Sequence, residues 1–476
     1  MPRFTSARWI MAGAGVIALS LGGAAMVTAH NSPDKVQVLA KQINDRKPKN
    51  VIMFLGDGMG DSEITAARYY YAGAGGHLRM DAFPFSGEQT TWSVKPGPGP
   101  TYLPDYVPDS AATGTAWSTG RKTIDERISQ GPSTAVNLPG DNNAFRTVLE
   151  LAQKRGMATG NVSTAEITDA TPAVLASHIS QRGCQGPDNT RTTCPQETKA
   201  AAGLGSIAEQ EVDHRIDVIL GGGKGRYDQT LDGSTQTVTQ YAQAQKGYRF
   251  VGTAADLAAV NDVKKPVLGL FNAGNMSVEW NGPTATVQQA DGGYGPPVTC
   301  QTDQRPATEP ALVDMTTKAI SLLSRKQHSN GFFLQVEGAS IDKQDHLAKP
   351  CQQIGETIAF DKAIGAALDW QRSHPDTLIV VTADHGHTSQ IVSEDSNGVN
   401  GQTGYAEDLK TKDGQILRIA YGTAGGLTRP PAGGISQQHT GTEVRIGAIG
   451  PQAARVNGVI DETDINGILA SFWGSR

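Results

Sequence analysis

The 476-residue chain is poor in cysteine and has no excess of positive charge. It carries 41 lysines and arginines against 47 aspartates and glutamates, which gives a formal net charge of −6. Because proteins that bind a nucleic acid backbone need a clustered positive excess, we expect no nucleic acid among its partners. After the first 30 residues, no apolar run approaches the roughly 20 residues that span a bilayer. Nucleic acid binding and later membrane spans are therefore both disfavoured.

The first 29 residues have the pattern of a cleaved signal peptide. Arg3 and Arg8 precede an apolar run that ends in a Val-Thr-Ala triplet at residues 27–29, which fits the small-residue rule for cleavage. A membrane anchor is the alternative, but four glycines interrupt the run. The segment has no twin-arginine pair, and no cysteine before Cys184 is available for a lipid. We therefore expect an exported protein, periplasmic or secreted, whose mature chain of residues 30–476 is free of the membrane.

The cysteines form an even set, which in an exported protein indicates disulfide bonds. They are Cys184, Cys194, Cys300 and Cys351, and they allow three connectivities. A zinc knuckle is the competing interpretation, but the chain has no C-x-x-C pair. Pairing of nearest neighbours, Cys184 with Cys194 and Cys300 with Cys351, needs the shortest loop closures and is the arrangement that we favour.

Short β-rich runs alternate with longer helical patterns from residue 50 onward. The strand candidates cover residues 51–55, 157–162, 217–220, 267–271, 332–336, 378–381 and 444–448. Helical patterns cover residues 143–154, 309–325 and 355–372, with further helices from about Ser62 and from Thr171-Pro172. In the last of these, Thr171 is expected as the N-cap and Pro172 as the first helical residue. The alternation predicts an α/β fold: a large, mainly parallel central sheet with helices on both faces, in a single domain with loop insertions. Residues 391–432 are one predicted insertion.

Acids and histidines follow the predicted strands. Asp57, Glu337 and the pair Asp384-His385 each come directly after a different apolar strand. Because ligands of open α/β sheets bind outside the carboxyl ends of the strands, we expect these side chains to converge. One acid at such a position is usually a helix cap or a turn former. Several acids at several strand ends indicate cation binding.

Two further elements of this pattern are weak on their own. Asp342 and His346 are four residues apart, which places them on one face if the stretch is helical. Such a pair is more often a surface hydrogen bond than a metal site. His439 lies in a polar loop ahead of the last predicted strand. Imidazole together with carboxylate suits zinc, whereas carboxylate with hydroxyl suits magnesium.

A serine follows a proline-rich loop at residue 110. The simplest interpretation makes Ser110 a helix N-cap. The functional interpretation presents Ser110 at a helix N-terminus, where backbone N–H groups favour an anion. The surrounding segment contains no G-x-S-x-G elbow, which argues against an esterase of the α/β-hydrolase type.

Six sequence blocks show that the chain resembles the bacterial periplasmic alkaline phosphatases, from about residue 50 onward. The blocks are GDGMGDSEITAAR, PDSAATGTAWSTG, GNVSTAEITDATPA, GFFLQVEGASIDKQDH, VTADHGHTSQ and QHTGTEVRI, in the family's order and spacing. The resemblance is weakest in the loops and in residues 391–432. One block departs mildly, because Thr113-Gly114 stands where a Ser-Ala pair is more usual. We expect this glycine to loosen the helix by roughly 1 kcal/mol.

The resemblance implies a nucleophile and three metal sites. Ser110 matches the phosphorylated nucleophile. The matched ligands are Asp342, His346 and His439 for a first zinc, Asp57, Asp384 and His385 for a second zinc, and Asp57, Thr171 and Glu337 for magnesium.

The resemblance also implies residues that handle phosphate. Arg182 matches the arginine that clamps the phosphate, and Asp109 the residue that orients it. Asp169 matches a position that holds a magnesium-bound water, and Lys343 one that reaches the phosphate through water. Some relatives have histidine at these last two positions, so the Asp/Lys pair favours Mg²⁺ over a third zinc. His387 resembles a residue outside the ligand set.

The implied activity is hydrolysis of phosphate monoesters to alcohol and inorganic phosphate through a phosphoserine intermediate. It implies two Zn²⁺ and one Mg²⁺ per chain, small phosphate monoesters and inorganic phosphate as partners, and a homodimer. The alternatives are a phosphodiesterase or sulfatase of the same superfamily, and a non-catalytic periplasmic protein that binds phosphate or metal. The serine and the arginine clamp favour monoesters.

Overall fold

The computed structural model describes residues 35–134, 144–287, 293–326, 329–394, 405–423 and 436–470. The predicted signal peptide lies outside these ranges, as do residues 395–404 and 424–432 of the predicted insertion. Within the described ranges, no helix is long and apolar enough to cross a membrane.

The described residues form strands and helices in alternation. The strands are β1 (Asn50–Gly56), β2 (Phe85–Thr90), β3 (Ser93–Val94), β4 (Pro104–Asp105), β5 (Ala158–Glu166), β6 (Val218–Gly222), β7 (Arg249–Val251), β8 (Val267–Leu270), β9 (Thr286–Val287), β10 (Phe332–Gly338), β11 (Thr377–Ala383), β12 (Ser389–Val392), β13 (Tyr405–Lys410), β14 (Ile416–Tyr421), β15 (Val444–Ile449) and β16 (Gly458–Asp461). The helices are α1 (Lys35–Gln42), α2 (Asp61–Ala72), α3 (Ser110–Thr119), α4 (Val148–Lys154), α5 (Ala170–Ala173), α6 (Pro187–Thr193), α7 (Ile207–Asp213), α8 (Lys224–Tyr227), α9 (Val238–Ala244), α10 (Ala254–Ala259), α11 (Leu312–Ser324), α12 (Ser340–His346), α13 (Pro350–Gln371) and α14 (Glu462–Ala470).

Ten strands build one sheet, in the order β16-β2-β15-β11-β1-β10-β5-β6-β8-β7. The seven strands from β11 to β7 are parallel, while β15 runs antiparallel to both of its neighbours. This arrangement confirms the predicted mainly parallel sheet.

The central strand β1 explains why helices cover both faces. Every residue of β1 is buried. Ile52 and Phe54 belong to one apolar cluster, which includes residues of α11 and α13, and Phe54 packs edge-on against Phe360 of α13. Val51, Met53 and Leu55 point to the opposite cluster, with residues of α3, α4, α7 and α14. Side chains of a strand alternate between faces, so a strand that is apolar throughout needs cover on both. The prediction of helices on both faces is confirmed.

Several helix starts differ from the predictions: α11 begins at Leu312 rather than at residue 309, and α13 at Pro350 rather than at residue 355. Two further differences have a capping reason. Helix α4 begins at Val148 rather than at residue 143, because Thr147 and Glu150 form a capping box at that point. Helix α5 has Asp169 as its N-cap, not Thr171, since the Asp169 carboxylate accepts a hydrogen bond from the Ala170 N–H at 2.9 Å. Thr171 is therefore inside the helix, where its side chain is free for another role.

The predicted insertion contributes to a separate small sheet. Strands β12, β14, β13 and β9 pair antiparallel in that order. Two of its hairpin strands, β13 and β14, lie within residues 391–432. This segment is thus built differently from the parallel sheet that precedes it.

Both disulfide bonds join nearest neighbours in the sequence. Cys184 pairs with Cys194 and Cys300 with Cys351, with Cα–Cα distances of 6.3 Å and 5.3 Å. Both distances lie in the usual range for disulfides. The favoured pairing is confirmed.

Candidate active site and metal centres

Asp342, His346 and His439 meet at the carboxyl edge of the sheet. Helix α12 follows β10 closely and carries Asp342 and His346 on one face. The Nε2 atoms of His346 and His439 each lie 3.3 Å from Asp342 Oδ1, and 3.2 Å from each other. Ligands held at about 2.0–2.2 Å by a tetrahedral ion stand roughly 3.3–3.6 Å apart. The three side chains are therefore arranged as ligands of one small cation.

The hydrogen bonds of the other ring nitrogen identify which histidines offer a lone pair. Nδ1 of His346, His385 and His439 each faces a backbone carbonyl, of Gln437, Gly386 and Pro108 respectively. A carbonyl only accepts, so Nδ1 carries the proton and Nε2 keeps its lone pair. All three were matched to zinc ligands from the sequence.

His387 has the opposite arrangement. Its Nδ1 accepts a hydrogen bond from the Thr388 N–H at 2.9 Å, which leaves the proton on Nε2. Nε2 lies 3.2 Å from Asp342 Oδ1 and faces it as a donor rather than as a lone pair. Although His387 is close to the first group of ligands, its geometry suits a hydrogen-bonding neighbour of Asp342.

A second group consists of Asp57, Asp384 and His385. These residues follow β1 and β11, which are adjacent parallel strands paired through Gly56 and Ala383. His385 Nε2 lies 3.5 Å from Asp57 Oδ1 and 3.5 Å from Asp384 Oδ2. The Gly58 N–H donates to Asp384 Oδ1 at 3.0 Å and so fixes that carboxylate. The parallel pairing alone brings the two acids together, as the sequence predicts.

Ser110 lies against this second group. Its Oγ is 3.4 Å from Asp57 Oδ1 and 3.2 Å from His385 Nε2. Ser110 is the first residue of α3 and not its N-cap, which is Asp109. Asp109 takes the cap because its carboxylate accepts from the N–H groups of Ala112 and Glu126, both at 2.9 Å. With the cap supplied by its neighbour, the Ser110 hydroxyl is directed to the acids.

Close packing explains the presence of Gly114, the glycine that was expected to loosen α3. A Cβ at Gly114 would lie 2.9 Å from Val174 Cγ1, closer than carbon atoms pack. Helix α3 continues unbroken to Thr119, and all ten of its residues are buried. The glycine therefore permits close approach of the helix to the segment that follows α5.

Charge repulsion at the site is strong. Burial and the charges of Asp342 and Asp384 raise the pKa of Asp57 well above its usual range. Burial likewise raises the pKa of Glu337 to about 8 and that of Asp384 to about 6. Burial alone would also raise the pKa of Asp342, but the neighbouring imidazoles of His387 and His439 hold it well below its usual range. Cations would relieve this repulsion.

The residues matched to magnesium also fit a cation. Glu337 follows β10, and its Oε2 accepts a hydrogen bond from Ser163 Oγ at 2.5 Å. Thr171 Oγ1 is buried and has no hydrogen-bond partner among the described residues, as is the case for Asp384 Oδ2 of the second zinc group. Buried oxygens without partners are costly, and a hard cation such as Mg²⁺ takes oxygen ligands. The donor set thus suits the ion that the sequence implies.

Ser163 is a residue that sequence reasoning missed. It lies on β5, directly opposite Glu337 in the parallel pairing with β10. Its hydroxyl holds one oxygen of Glu337 and leaves the other available. The position just after the predicted strand at residues 157–162 is the signal that would have found it.

Arg182 is held by two acids beside the serine. Its Nη1 lies 3.2 Å from Asp109 Oδ2 and its Nη2 2.8 Å from Asp169 Oδ1. The second oxygen of Asp169 is 2.7 Å from Lys343 Nζ. Burial alone would raise the pKa of Asp169, but the two cations hold it far below its usual range. The structure therefore brings all four phosphate-handling candidates into one chain of ion pairs, with two cationic side chains for an anion.

Comparison with known proteins agrees with this geometry. The family model described as alkaline phosphatase matches residues 48–429. An alkaline phosphatase of Escherichia coli is 45% identical over 93% of this chain and 89% of its own. A streptomycin-6-phosphate phosphatase of Streptomyces griseus is 46% identical over 90% of this chain and 91% of its own. In fold, the chain is similar to the alkaline phosphatase of the Antarctic bacterium TAB5, with a TM-score of 0.64 and 22% identity over 90% of this chain and 100% of that one.

The sheet and its two groups of acids and histidines define a metal-dependent hydrolase with an α/β fold. The family model spans most of the chain, and the relatives match it at 45–46% identity nearly end to end. The chain belongs to the alkaline phosphatase family. Its reaction is the hydrolysis of phosphate monoesters.

Proposed function

We propose that the chain hydrolyses phosphate monoesters through a phosphoserine intermediate on Ser110. The observation that carries this proposal is the position of Ser110 Oγ, within 3.4 Å of Asp57 and 3.2 Å of His385, at the start of a helix. A serine hydroxyl is a weak nucleophile unless a base or a metal ion activates it. The two side chains nearest this oxygen, Asp57 and His385, are also the residues that would hold an activating metal ion.

The proposed cofactors are two Zn²⁺ and one Mg²⁺ per chain. Their ligands would be Asp342, His346 and His439 for the first zinc, Asp57, Asp384 and His385 for the second, and Asp57, Thr171 and Glu337 for magnesium. When bound, these ions supply Lewis acidity that favours the ionised serine and the departing oxygen. Nδ1–carbonyl contacts of the three histidines support the zinc assignment.

Arg182 would bind the phosphate. Each of its two terminal nitrogens carries two N–H groups, of which one is used on Asp109 or Asp169. The remaining N–H groups form a planar fork that matches two non-bridging oxygens of a phosphate. Lys343, held by Asp169, adds positive charge close to the same anion. Asp109 and Asp169 are thus positioning residues for the arginine.

The reaction then proceeds in two balanced steps. Ser110 Oγ loses its proton and forms a bond to phosphorus as the bond to the ester oxygen breaks, and the alcohol leaves with a proton from solvent. A water molecule next attacks the phosphoserine, releases inorganic phosphate and returns a proton to Ser110 Oγ. The arginine fork contacts the phosphate and not the alcohol, which favours small phosphate monoesters of many kinds.

The setting of the enzyme is also part of the proposal. We infer that residues 1–29 are removed on export to the periplasm, and that residues 30–476 form the mature domain, with residues 391–432 as an insertion. The two disulfides support an oxidising compartment. We further infer a homodimer, on the strength of the family resemblance.

Trapping of the intermediate tests the proposal. The holoenzyme is mixed with an aryl phosphate, quenched in acid, and mapped by peptide mass spectrometry. We expect phosphate on the Ser110 peptide, and its absence in Ser110→Ala, whose turnover should fall at least about 10³-fold because the nucleophile is lost.

A matched control lies on the same helix. Ser118 is equally buried in α3, but its hydroxyl donates to the Val174 carbonyl at 2.8 Å, away from the acids. Ser118→Ala should keep both the phosphopeptide and most of the turnover. Nearly full turnover in Ser110→Ala, or phosphate on another residue, would refute the assignment of the nucleophile.

A further inference from the structure

A third group of histidine and carboxylate side chains lies apart from the residues matched to the catalytic metals. It consists of Glu150 on α4, His178 in the segment after α5, and His214 at the end of α7. Glu150 Oε1 is 3.0 Å from His178 Nε2 and 3.6 Å from His214 Nε2. The three ligand atoms all lie within 4.8 Å of one another. We call these residues the peripheral cluster.

The two groups of the active site provide a scale for these distances. There, the nitrogen and oxygen atoms matched to zinc stand 3.2–3.5 Å apart. The separations from Glu150 in the peripheral cluster, 3.0 Å and 3.6 Å, bracket that range. Ligands about 2.0–2.2 Å from a tetrahedral ion are separated by roughly the same distances. The two separations from Glu150 therefore suit ligands of one zinc ion, with the two histidine nitrogens within 4.8 Å of each other.

The hydrogen bonds of His178 indicate that a proton or a metal ion lies between two acceptors. Its Nδ1 lies 3.0 Å from the carbonyl oxygen of Ser129, so Nδ1 carries the proton. In the neutral ring Nε2 then has only a lone pair, and it faces the carboxylate of Glu150. Two acceptors in contact repel unless a proton or a metal ion lies between them. His346, His385 and His439 show the same Nδ1–carbonyl arrangement, and His387 does not.

The surroundings hold the ligands in place. Glu150 Oε2 accepts the Thr147 N–H at 2.9 Å, which leaves Oε1 directed to the histidines. The backbone of His214 is fixed at both ends, because its N–H donates to Gln210 and its carbonyl accepts from Gln153 Nε2 at 2.8 Å. Supporting contacts of this kind are typical of metal-binding carboxylates and histidines.

The partial exposure of the three side chains leaves room for solvent as a fourth ligand. His178 is buried at 7 % exposure, whereas Glu150 and His214 are 21 % and 27 % exposed. Solvent can therefore reach the side of the cluster that the protein does not fill. A site with three protein ligands and one solvent ligand is a common zinc arrangement.

We propose that Glu150, His178 and His214 form a further zinc site, separate from the catalytic centre, with water as the fourth ligand. Two imidazoles and one carboxylate favour Zn²⁺ over Mg²⁺ or Ca²⁺, which prefer oxygen ligands alone. A bound ion would cross-link three segments that no disulfide joins to one another. This inference does not depend on the proposed catalytic mechanism.

The experiment measures zinc in three forms of the mature protein: wild type, His214→Ala and His77→Ala. His77 is an exposed histidine outside all three groups of ligands and serves as the control. Each protein is equilibrated with micromolar free Zn²⁺ and millimolar Mg²⁺, and the bound metal is counted by mass spectrometry. Wild type and His77→Ala should bind one zinc per chain more than His214→Ala, with turnover of an aryl phosphate within about twofold in all three.

A second measurement locates the ion. Crystals of the wild type equilibrated at the same zinc concentration should show an anomalous peak at the zinc edge among the three side chains, and crystals of His214→Ala should not. Equal zinc counts in wild type and His214→Ala, or no peak at the cluster, would overturn the proposal and assign the contact to an ion pair of protonated His178 with Glu150. Loss of the peripheral zinc with catalysis intact also separates this inference from the proposed function.

Discussion

Two of the places where the described residues bury carboxylates have different surroundings. At the carboxyl edge of the sheet, Asp57 and Asp384 are buried beside a neutral histidine and a serine hydroxyl. On α7, Glu211 is buried just as completely, but its Oε2 accepts a hydrogen bond from the Tyr227 hydroxyl. Burial raises the pKa of Glu211 to about 8, as high as that of Glu337 at the active site. A raised pKa therefore does not distinguish the two places.

The distinguishing feature is the convergence of acceptors. At the edge of the sheet, lone pairs of imidazole and carboxylate point at common volumes, an arrangement that only cations stabilise. At Glu211 the Tyr227 hydroxyl donates to one carboxylate oxygen, and burial favours the protonated acid, which needs no ion. The peripheral cluster includes residues on α4 and at the end of α7, the helix that carries Glu211. Its acceptor atoms nevertheless converge, as they do at the edge of the sheet. Acceptor convergence, not burial, is thus the property from which we infer metal binding.

The largest expected difference in kcat/KM comes from replacing one carboxylate at each of the two places with its amide. Asp384→Asn removes the charge of a proposed zinc ligand, and kcat/KM for an aryl phosphate should fall at least about 10³-fold. Glu211→Gln removes an acid that is equally buried, and kcat/KM should stay within about twofold of the wild type. Steady-state kinetics of the zinc- and magnesium-loaded enzymes measure both. More than a tenth of the activity in Asp384→Asn would contradict the metal assignment.

The sequence predicts the central elements well for a physical reason. A parallel strand covered on both faces is apolar throughout, so β1, β10 and β11 stand out as uninterrupted runs. Strands at the margins carry no such signal. β2 has the sequence FSGEQT, and its pairing with β15 is settled by tertiary contacts.

The residues of the site also divide into those that the sequence predicts and those that it does not. Acids at strand ends are predictable because topology alone brings Asp57 and Asp384 together. Exact helix caps are not, since Asp109 and Ser110 are adjacent residues that both favour the N-cap, and only the contacts of Asp109 with Glu126 and Arg182 decide between them. The peripheral cluster joins three segments that are distant in sequence, so the spacing of its residues does not predict that they meet.

A smaller effect is expected at the phosphate clamp. Arg182→Lys keeps the charge but loses the planar fork, and we expect kcat/KM to fall about 10²-fold. Arg226→Lys is the control, since Arg226 pairs with Glu166 at 2.8 Å at a similar exposure but is outside the active site. Its kcat/KM should be nearly unchanged. Inhibition by inorganic phosphate should weaken in parallel for Arg182→Lys alone, and equal losses in the two variants would indicate a general effect of replacing a paired arginine.

The smallest expected effect is a change in melting temperature, which tests whether Glu211 is buried as the protonated acid. Its pKa is raised on folding from an ordinary value of 4.5 to about 8, so folding favours the protonated acid. Stability from this group is complete below pH 4.5 and is lost as the pH rises towards 8 and beyond.

Glu211→Gln cannot ionise, so its melting temperature relative to the wild type should rise by about 1–3 °C between pH 5 and pH 9. Thermal unfolding of the metal-loaded enzymes at both pH values measures this difference, with Glu443→Gln, at an exposed position, as the control. A relative melting temperature that stays constant between pH 5 and pH 9 would mean that Glu211 is already ionised in the folded protein at pH 5, and that the tyrosine hydroxyl alone stabilises its buried charge.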